Sequence, residues 1–393
     1  MANILCIYEN KIATVASTEN YFIDLEKYDP RIAVRFISVL KLEHSDLSWC
    51  DVLYMIRPNN AVFARIARIS KQYGIMVVFF LDDDLLHLPK GNADIPWRKS
   101  GLAYTARKSD IIVSSSPYIR ANYSKSFAVG RMVSINTAVP PKEIRKHDEG
   151  RNERIKIVYA AGLAHKSLFD RFIKPILTQL DEKCGERISI TFMGVHPELD
   201  VNNYNMPINY IDSLPLNEYR EKIEEENFDI GLAPLVTSEF TKCKYFNKFI
   251  EYAMFGIVGL YSDTEPYTFV IKDKENGILV QDDPHDWLEA ICGAVEDSDL
   301  IKKCRENSYN LLTNRFAPDK IMDQFIADIP EMVKVHKEKS VNGIQLSLYK
   351  ALYRISRVGD WLYKTGFYFK RGGFKEVFNG VRRIINTSRI VKS

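Results

Sequence analysis

Residues 242–256 read KCKYFNKFIEYAMFG, and the rest of the chain is organised around them. At about 100° per residue, a helix through this stretch sets Lys244, Lys248 and Glu251 on one narrow stripe. Phe246, Phe249, Ile250 and Ala253 fall on the opposite side, which makes that side core. Gly256 ends the helix, and a strand-like run follows at 257–261 (IVGLY) before the polar 262–267 (SDTEPY). A helix start in such a β/α repeat offers free N–H groups and the positive end of the dipole to an anion. Lysines beside it suit a diphosphate, and a carboxylate two turns along suits paired hydroxyls such as those of a ribose. The same stripe also fits a solvated face with an ordinary Lys248–Glu251 pair. Both readings stand at this level.

Working outward, strands and helices alternate in both halves. Residues 2–9, Ile32–Leu40, Val52–Ile56, Ile75–Leu81, Asp110–Pro117 and Arg131–Thr137 read as strands of an N-terminal domain. The continuous apolar run 75–81 (IMVVFFL) is that of a strand buried on both faces. The turn after the first strand, 10–17 (NKIATVAS), contains no glycine, so the dinucleotide fingerprint of NAD and FAD enzymes is missing. Strand 75–81 ends in Asp82, Asp83 and Asp84, followed by His87, at a strand end where parallel sheets place ligands. Three adjacent carboxylates repel one another and call for a metal, a lysine or a sugar's hydroxyls. A charged, Pro-led segment, 140–154, is the expected linker.

Strands at Ile155–Tyr159, Ile188–Met193, Ile208–Ile211 and Phe228–Leu232 then restart the pattern. The turn at 160–162 (AAG) brings Gly162, His165 and Lys166 to a second helix start, where a glycine lets backbone approach a ligand. An ordinary βα turn is the plain alternative there. The pattern predicts an α/β protein of two doubly wound, Rossmann-like domains facing across a cleft, with a basic, mostly helical C-terminal tail. The boundaries expected are 1–139, linker 140–154, 155–335 and tail 336–393.

From Phe240 to about Asn307 the chain resembles the C-terminal domain of GT-B glycosyltransferases of the GT4 type. The matching features are Lys244, the run 247–252 (NKFIEY), Gly256, Ser262, Tyr267 and the run 276–280 (NGILV). In that family the Glu matching Glu251 binds the donor ribose, and the lysines and helix start hold its diphosphate. The resemblance implies Lys244, Lys248 and Glu251 as catalytic groups, with Gly162, His165, Lys166, Gly194, Tyr245 and Asn247 on the donor side. It also implies a hexosyltransferase moving a sugar from a nucleotide-sugar donor to a saccharide or lipid-linked glycan, as in surface polysaccharide biosynthesis. Anomeric configuration would be retained, with no metal and no cofactor. One departure stands out: the family often carries a second Glu eight residues before Glu251, and here that position is Cys243.

The acidic run at 83–89 (DDLLHLP) is similar to a stretch in the N-terminal domain of some GT4-like enzymes. That favours an acceptor or cleft role for Asp82, Asp83, Asp84 and His87. A GT-A-like site, with Asp82 and Asp84 on Mn²⁺ or Mg²⁺, and a solvated turn remain the alternatives. His87 by itself reads as structural. Two function classes compete with a transferase: a nucleotide-sugar epimerase of the same fold, and a non-catalytic glycosyltransferase-like subunit, the latter motivated by Cys243 and the missing glycine loop.

Bulk properties agree with a globular protein of two domains: 393 residues, 46% hydrophobic and 27% charged. The net charge of +3 hides an asymmetry. From Val341 onward there are 11 Lys/Arg against 2 Asp/Glu, whereas the preceding 340 residues carry 43 basic and 49 acidic side chains. No secretion signal or membrane span is read, and the six scattered cysteines fit reduced thiols of a cytoplasmic protein. The tail at 343–393 mixes its basic residues with aromatics, which fits an anionic membrane surface. A terminal helix pair packed on the N-terminal domain, with lysines snorkelling, competes with that reading. Nucleic acid is not expected, because no recognised nucleic-acid module accompanies the tail.

Overall fold

Two six-stranded parallel sheets carry the structure, one in each half of the chain. The computed structural model describes residues 1–87, 95–127, 131–140, 144, 154–162, 166–334 and 344–390. Most of the expected linker 140–154, and His165, lie outside the described residues. The chain divides into two units: Met1–Ala138 with Cys243–Tyr245 and Pro318–Ser393, and Val139–Lys242 with Phe246–Ala317.

The first sheet contains β1 (Ala2–Tyr8), β2 (Ile32–Ser38), β3 (Val52–Ile56), β4 (Met76–Leu81), β5 (Ile111–Ser114) and β6 (Met132–Ser134), in the order β2-β1-β3-β4-β5-β6. All residues of β3 and β5 are buried, which is why these strands read as unbroken apolar runs. Helices α1 (Ala13–Tyr28), α2 (His44–Trp49), α3 (Ala61–Gln72), α4 (Pro96–Lys108) and α5 (Pro117–Phe127) cover its faces. Asn60 caps α3, its side chain accepting from Val62 N at 3.0 Å, and Pro96 opens α4. The chain runs to β2 on one side of β1 and then to β3 on the other. The carboxyl ends of β1 and β3 therefore flank a switch point, where such sheets leave a crevice.

The second sheet repeats the plan with β7 (Ile155–Ala160), β8 (Ile188–Met193), β9 (Ile208–Ile211), β10 (Ile230–Ala233), β11 (Val258–Ser262) and β12 (Ile278–Val280), ordered β12-β11-β10-β7-β8-β9. Its helices are α6 (Lys166–Leu168), α7 (Leu177–Cys184), α8 (Leu216–Glu226), α9 (Glu239–Lys242), α10 (Asn247–Met254), α11 (Pro284–Glu296) and α12 (Ser298–Arg315). Between α6 and α7 the chain winds through a wide turn, Phe169–Ile173, and a tight one, Lys174–Ile176, around Pro175. Here the switch point lies between β7 and β10. A Cβ on Gly231 would meet the Tyr252 ring at 2.5 Å, so the bare strand lets this tyrosine of α10 lie against β10.

α13 (Pro318–Asp328) returns to the first unit and packs its Ile321, Met322 and Phe325 into the core with Phe22 and Tyr54. α14 (Ile344–Ile390), 47 residues long, ends the described chain. Its Tyr349 and Tyr353 are buried in the layer formed with α2 and α3. No helix among the described residues is long and apolar enough to cross a membrane.

Candidate functional site

The helix expected over 242–256 is broken in two. α9 stops at Lys242, residues 243–246 bend, and α10 begins only at Asn247. Lys248 and Glu251 stay on one face of α10, one turn apart, but Lys244 precedes the helix and leaves the expected stripe of three. With Cys243 and Tyr245 it belongs to the first unit. The physical reason lies in Cys243, whose fully buried side chain packs among Phe79, Leu81, Ile119 and Tyr123 and draws this segment out of helical register.

In the second unit, the Lys248 Nζ lies 2.6 Å from Glu251 Oε1. The phenol of Tyr219, on the first turn of α8, donates to the same oxygen. Lys248 Nζ is also 3.4 Å from the Tyr219 hydroxyl, and it lies 5.8 and 5.5 Å from the ring centres of Tyr219 and Tyr252. Behind the carboxylate stands a wall of phenols. Tyr252 donates to Leu232 O at 3.0 Å, and the rings of Tyr261 and Tyr267 are 4.9 Å apart. Burial pushes the phenols of Tyr219, Tyr252, Tyr261 and Tyr267 up, and the Glu251 carboxylate pushes each further. All four therefore stay protonated, as donors. The result is a half-buried carboxylate, with 26% of its side chain exposed.

Other residues hold this wall in place. Ser262 Oγ accepts from Leu235 N at 2.8 Å, fixing the loop after β10. Asn276 accepts from Lys272 N at 2.8 Å and donates to Val270 O at 3.0 Å, pinning the loop that follows Tyr267. Gly194 has φ of +81°, and a Cβ there would sit 2.7 Å from Ala161 O, so it must be glycine for the ends of β7 and β8 to meet. Gly162 is exposed, with open space where a Cβ would be. Lys166 opens α6, and Asn247 is the exposed first residue of α10. No hydrogen bond or ion pair joins Gly162, Lys166 or Asn247 to Glu251 among the described residues. Tyr245 faces the first unit instead, accepting from Thr137 N at 3.1 Å.

The carboxyl rim of the first sheet gathers a second set of polar groups. Arg57, just after β3, reaches Asp82 and lies 2.6 Å from Asp83. Its φ of +48° is a left-handed conformation that non-glycine residues seldom adopt. Thr14 Oγ1 donates to Asp82 at 2.6 Å. Burial holds Asp83 above the usual carboxylate range and Asp82 adds to this, while Arg57 and Lys244 pull it down. The counter-charge to the acidic run is thus an arginine.

Asp84 points elsewhere. It is fully buried, accepting from Leu86 N at 2.9 Å and from Tyr123 OH at 3.0 Å, with His87 Nδ1 at 2.7 Å. The imidazole is half in solvent. No group of three metal-ligating side chains occurs among the described residues.

Tyr219, Arg57 and Thr14 escape the sequence reading. Tyr219 shares its helix face with Ile223 and reads as an apolar position. Arg57 carries no pattern beyond its place at a strand end beside a switch point, the one signal that could have found it.

No family model and no curated protein matches the chain at the sequence level. Solved structures do. HepE of Anabaena, in complex with UDP and glucose, is 12% identical with a TM-score of 0.59, over 84% of this chain and 100% of that one. A glycosyltransferase from Rickettsia africae ESF-5 is 13% identical with a TM-score of 0.60, over 85% and 99%. Sucrose-phosphate synthase from Thermosynechococcus elongatus is 11% identical with a TM-score of 0.60, over 84% and 99%. These likenesses show the fold: two Rossmann-like domains of the GT-B kind, with a C-terminal helix added.

Proposed function

We propose that this chain is a glycosyltransferase of the GT4 type, moving a hexosyl group from a nucleotide-sugar donor to a saccharide or lipid-linked glycan. The observation that carries the reading is the Glu251 carboxylate with Lys248 and Tyr219 converging on one of its oxygens. The fold supports it, and so do neighbours whose structures hold UDP or UDP-glucose. In this reading a ribose diol takes Glu251 as its acceptor, displacing Tyr219 and freeing the Lys248 ammonium for the diphosphate.

The resemblance to GT4 enzymes implies front-face transfer. The acceptor hydroxyl oxygen forms the new bond to the anomeric carbon as the bond to the diphosphate breaks, and the departing phosphate oxygen takes the hydroxyl proton. Configuration is retained. Lys248 stabilises the charge that builds on the leaving group, so neither a metal nor another cofactor is required. Arg57, Asp82, Asp83 and His87 form the acceptor side. The basic tail fits work at the cytoplasmic face of a membrane, in the synthesis of a surface polysaccharide.

The test is a transfer assay with UDP-, GDP- and dTDP-hexoses, with and without EDTA, the product's anomeric configuration being read by NMR. Retention with turnover unchanged by EDTA is expected. An inverted product, or turnover abolished by EDTA and restored by Mn²⁺, overturns the mechanism. Conversion of the nucleotide-hexose to its epimer with no acceptor present identifies an epimerase instead.

A further inference from the structure

The two faces of α14 have different fates. The inner face crosses the carboxyl rim of the first sheet. The Tyr349 hydroxyl lies 2.9 Å from both Val39 O and Leu42 O, beyond β2. Ser356 accepts from Asn60 Nδ2 at 2.7 Å, beyond β3. Arg357 donates to Glu9 at 3.0 Å and Asn10 at 3.1 Å, beyond β1. Asp360 accepts from Trp97 Nε1 at 2.8 Å and pairs with Arg98, at the start of α4. These contacts fit the packed-helix alternative for the tail as far as Tyr363, whose ring meets that of Trp97 at 5.2 Å.

The outer face is bare. Ile355, Val358, Leu362 and Phe369 fall within about 60° of one another on a helical projection, opposite the inner set. They are 68%, 58%, 57% and 49% exposed, and Trp361 beside them is 62% exposed. At Gly373 the backbone turns left-handed, with φ of +64°. The apolar line continues through that turn, because the Phe369 and Phe374 rings meet at 5.2 Å. Phe374 and Phe378 are each 73% exposed. Large apolar side chains in an exposed line are costly to leave in water, and such a patch marks a contact surface.

We propose that this outer face, from Ile355 to Phe378, docks on an anionic lipid bilayer. Charge chooses lipid over a second copy of the chain. From Trp361 onward the sequence carries eight Lys/Arg and one Asp/Glu, so two such helices repel each other while anionic headgroups attract both. Lys364, Lys370 and Lys375 are exposed among the aromatics, with stems long enough to carry their ammonium groups to the headgroups. The helix lies in the interface plane with its aromatic line in the acyl boundary. Its inner contacts then hold the rim that bears Arg57 and Asp82 about one helix diameter, roughly 10–12 Å, from the lipid surface. That rim would meet its acceptor at the bilayer, a consequence that rests on the proposed function; the lipid contact does not.

The experiment is co-sedimentation of the full chain with vesicles of phosphatidylcholine alone and with about 30% phosphatidylglycerol, an anionic lipid. Binding at least about tenfold tighter to the anionic vesicles, weakened in high salt, is expected. The double variant Phe369→Ser, Phe374→Ser should lose it while keeping the wild-type melting temperature, since both rings are exposed. Equal binding to neutral vesicles, or none to either, overturns the proposal. So does a dimer in light scattering that the double variant dissolves, or RNA retention without vesicle binding. Nucleotide-induced thermal shifts on the same samples separate the two readings. Vesicle binding without any nucleotide effect removes the donor site and leaves the lipid contact, and the reverse result removes only the lipid contact.

Discussion

The carboxylate of Asp84 and the imidazole of His87 meet at 2.7 Å, the first fully buried and the second 56% exposed. Tyr123 and the backbone N–H of Leu86 fix the carboxylate from behind. The aspartate therefore holds the ring rather than the ring holding the aspartate. Asp84→Ala should leave the Tyr123 hydroxyl without this acceptor and cost about 1–3 kcal/mol, read as a lower midpoint in urea. His87→Ala should cost under about 0.5 kcal/mol, as for a largely exposed side chain. If the two variants are equally stable, Asp84 is not the anchor.

Cys243 stands where GT4-type enzymes, which this stretch resembles, often carry a glutamate. Its thiol is fully buried, 3.8 Å from Asp84 Oδ2 and 3.8 Å from Asn122 Nδ2, beside a cluster of apolar side chains. A glutamate there would bury a second carboxylate against the first. Cys243→Glu should destabilise by about 3–5 kcal/mol, the cost of an uncompensated buried charge. Cys243→Ala should cost far less. Chemical denaturation of both variants checks this, and a stable Cys243→Glu protein contradicts it.

Arg57 neutralises two carboxylates from a left-handed backbone. Its removal should push the already raised Asp83 further up. A carboxyl raised in the folded state loses stability as pH rises from its unfolded value through its folded one. Arg57→Ala should therefore cost on the order of 1.5–3 kcal/mol at pH 7.5 and clearly less at pH 4.5. Melting temperatures at the two pH values measure it. A deficit that is the same at both would show that charge is not what Arg57 contributes.

Glu9 seats α14 from the other side. Burial works against its charge, yet hydrogen bonds and charge from Arg98, then from Arg357, hold its carboxyl below the usual range. A carboxyl lowered in the folded state contributes stability above its unfolded value, near 4.3, that is lost as pH falls through the folded value. Acid should thus loosen the seat of α14 below about pH 4. Hydrogen exchange of residues 349–360 as pH is lowered from 6 to 3 should show this. In Glu9→Gln that loosening should be smaller, Asp360 still pairing with Arg98.

Much of the fold is legible in the residues because both sheets are parallel and buried. Runs such as 75–81 and 188–193 have no other stable use, and Gly256, with φ of +68°, marks the end of α10 as its sequence position indicates. What is not legible is tertiary. The periodicity of 242–256 supports one unbroken helix, and only the burial of Cys243 in the first unit breaks it. Lys248 and Glu251 keep their relation because one turn of α10 fixes it, whereas Lys244 loses it at the break. Tyr219 is invisible for the opposite reason, since its role depends on a partner 32 positions away. The tail's two characters are both visible in the sequence, but not where the packed part ends, after Tyr363.

The central claim is that Glu251 belongs to a nucleotide site. Thermal shifts of the wild type, Glu251→Ala and Tyr219→Phe with UDP, GDP, CMP, dTDP and ADP test it most directly. One nucleotide should raise the wild-type melting temperature. Loss of hydrogen bonds to a charged acceptor should weaken its binding to Glu251→Ala by about 1.5–3 kcal/mol, or roughly 10- to 150-fold. Tyr219→Phe should keep most of the response, because in this account the ligand displaces that phenol. A Glu251→Ala protein that responds as the wild type does, or a wild type stabilised by none of the five, would contradict the account.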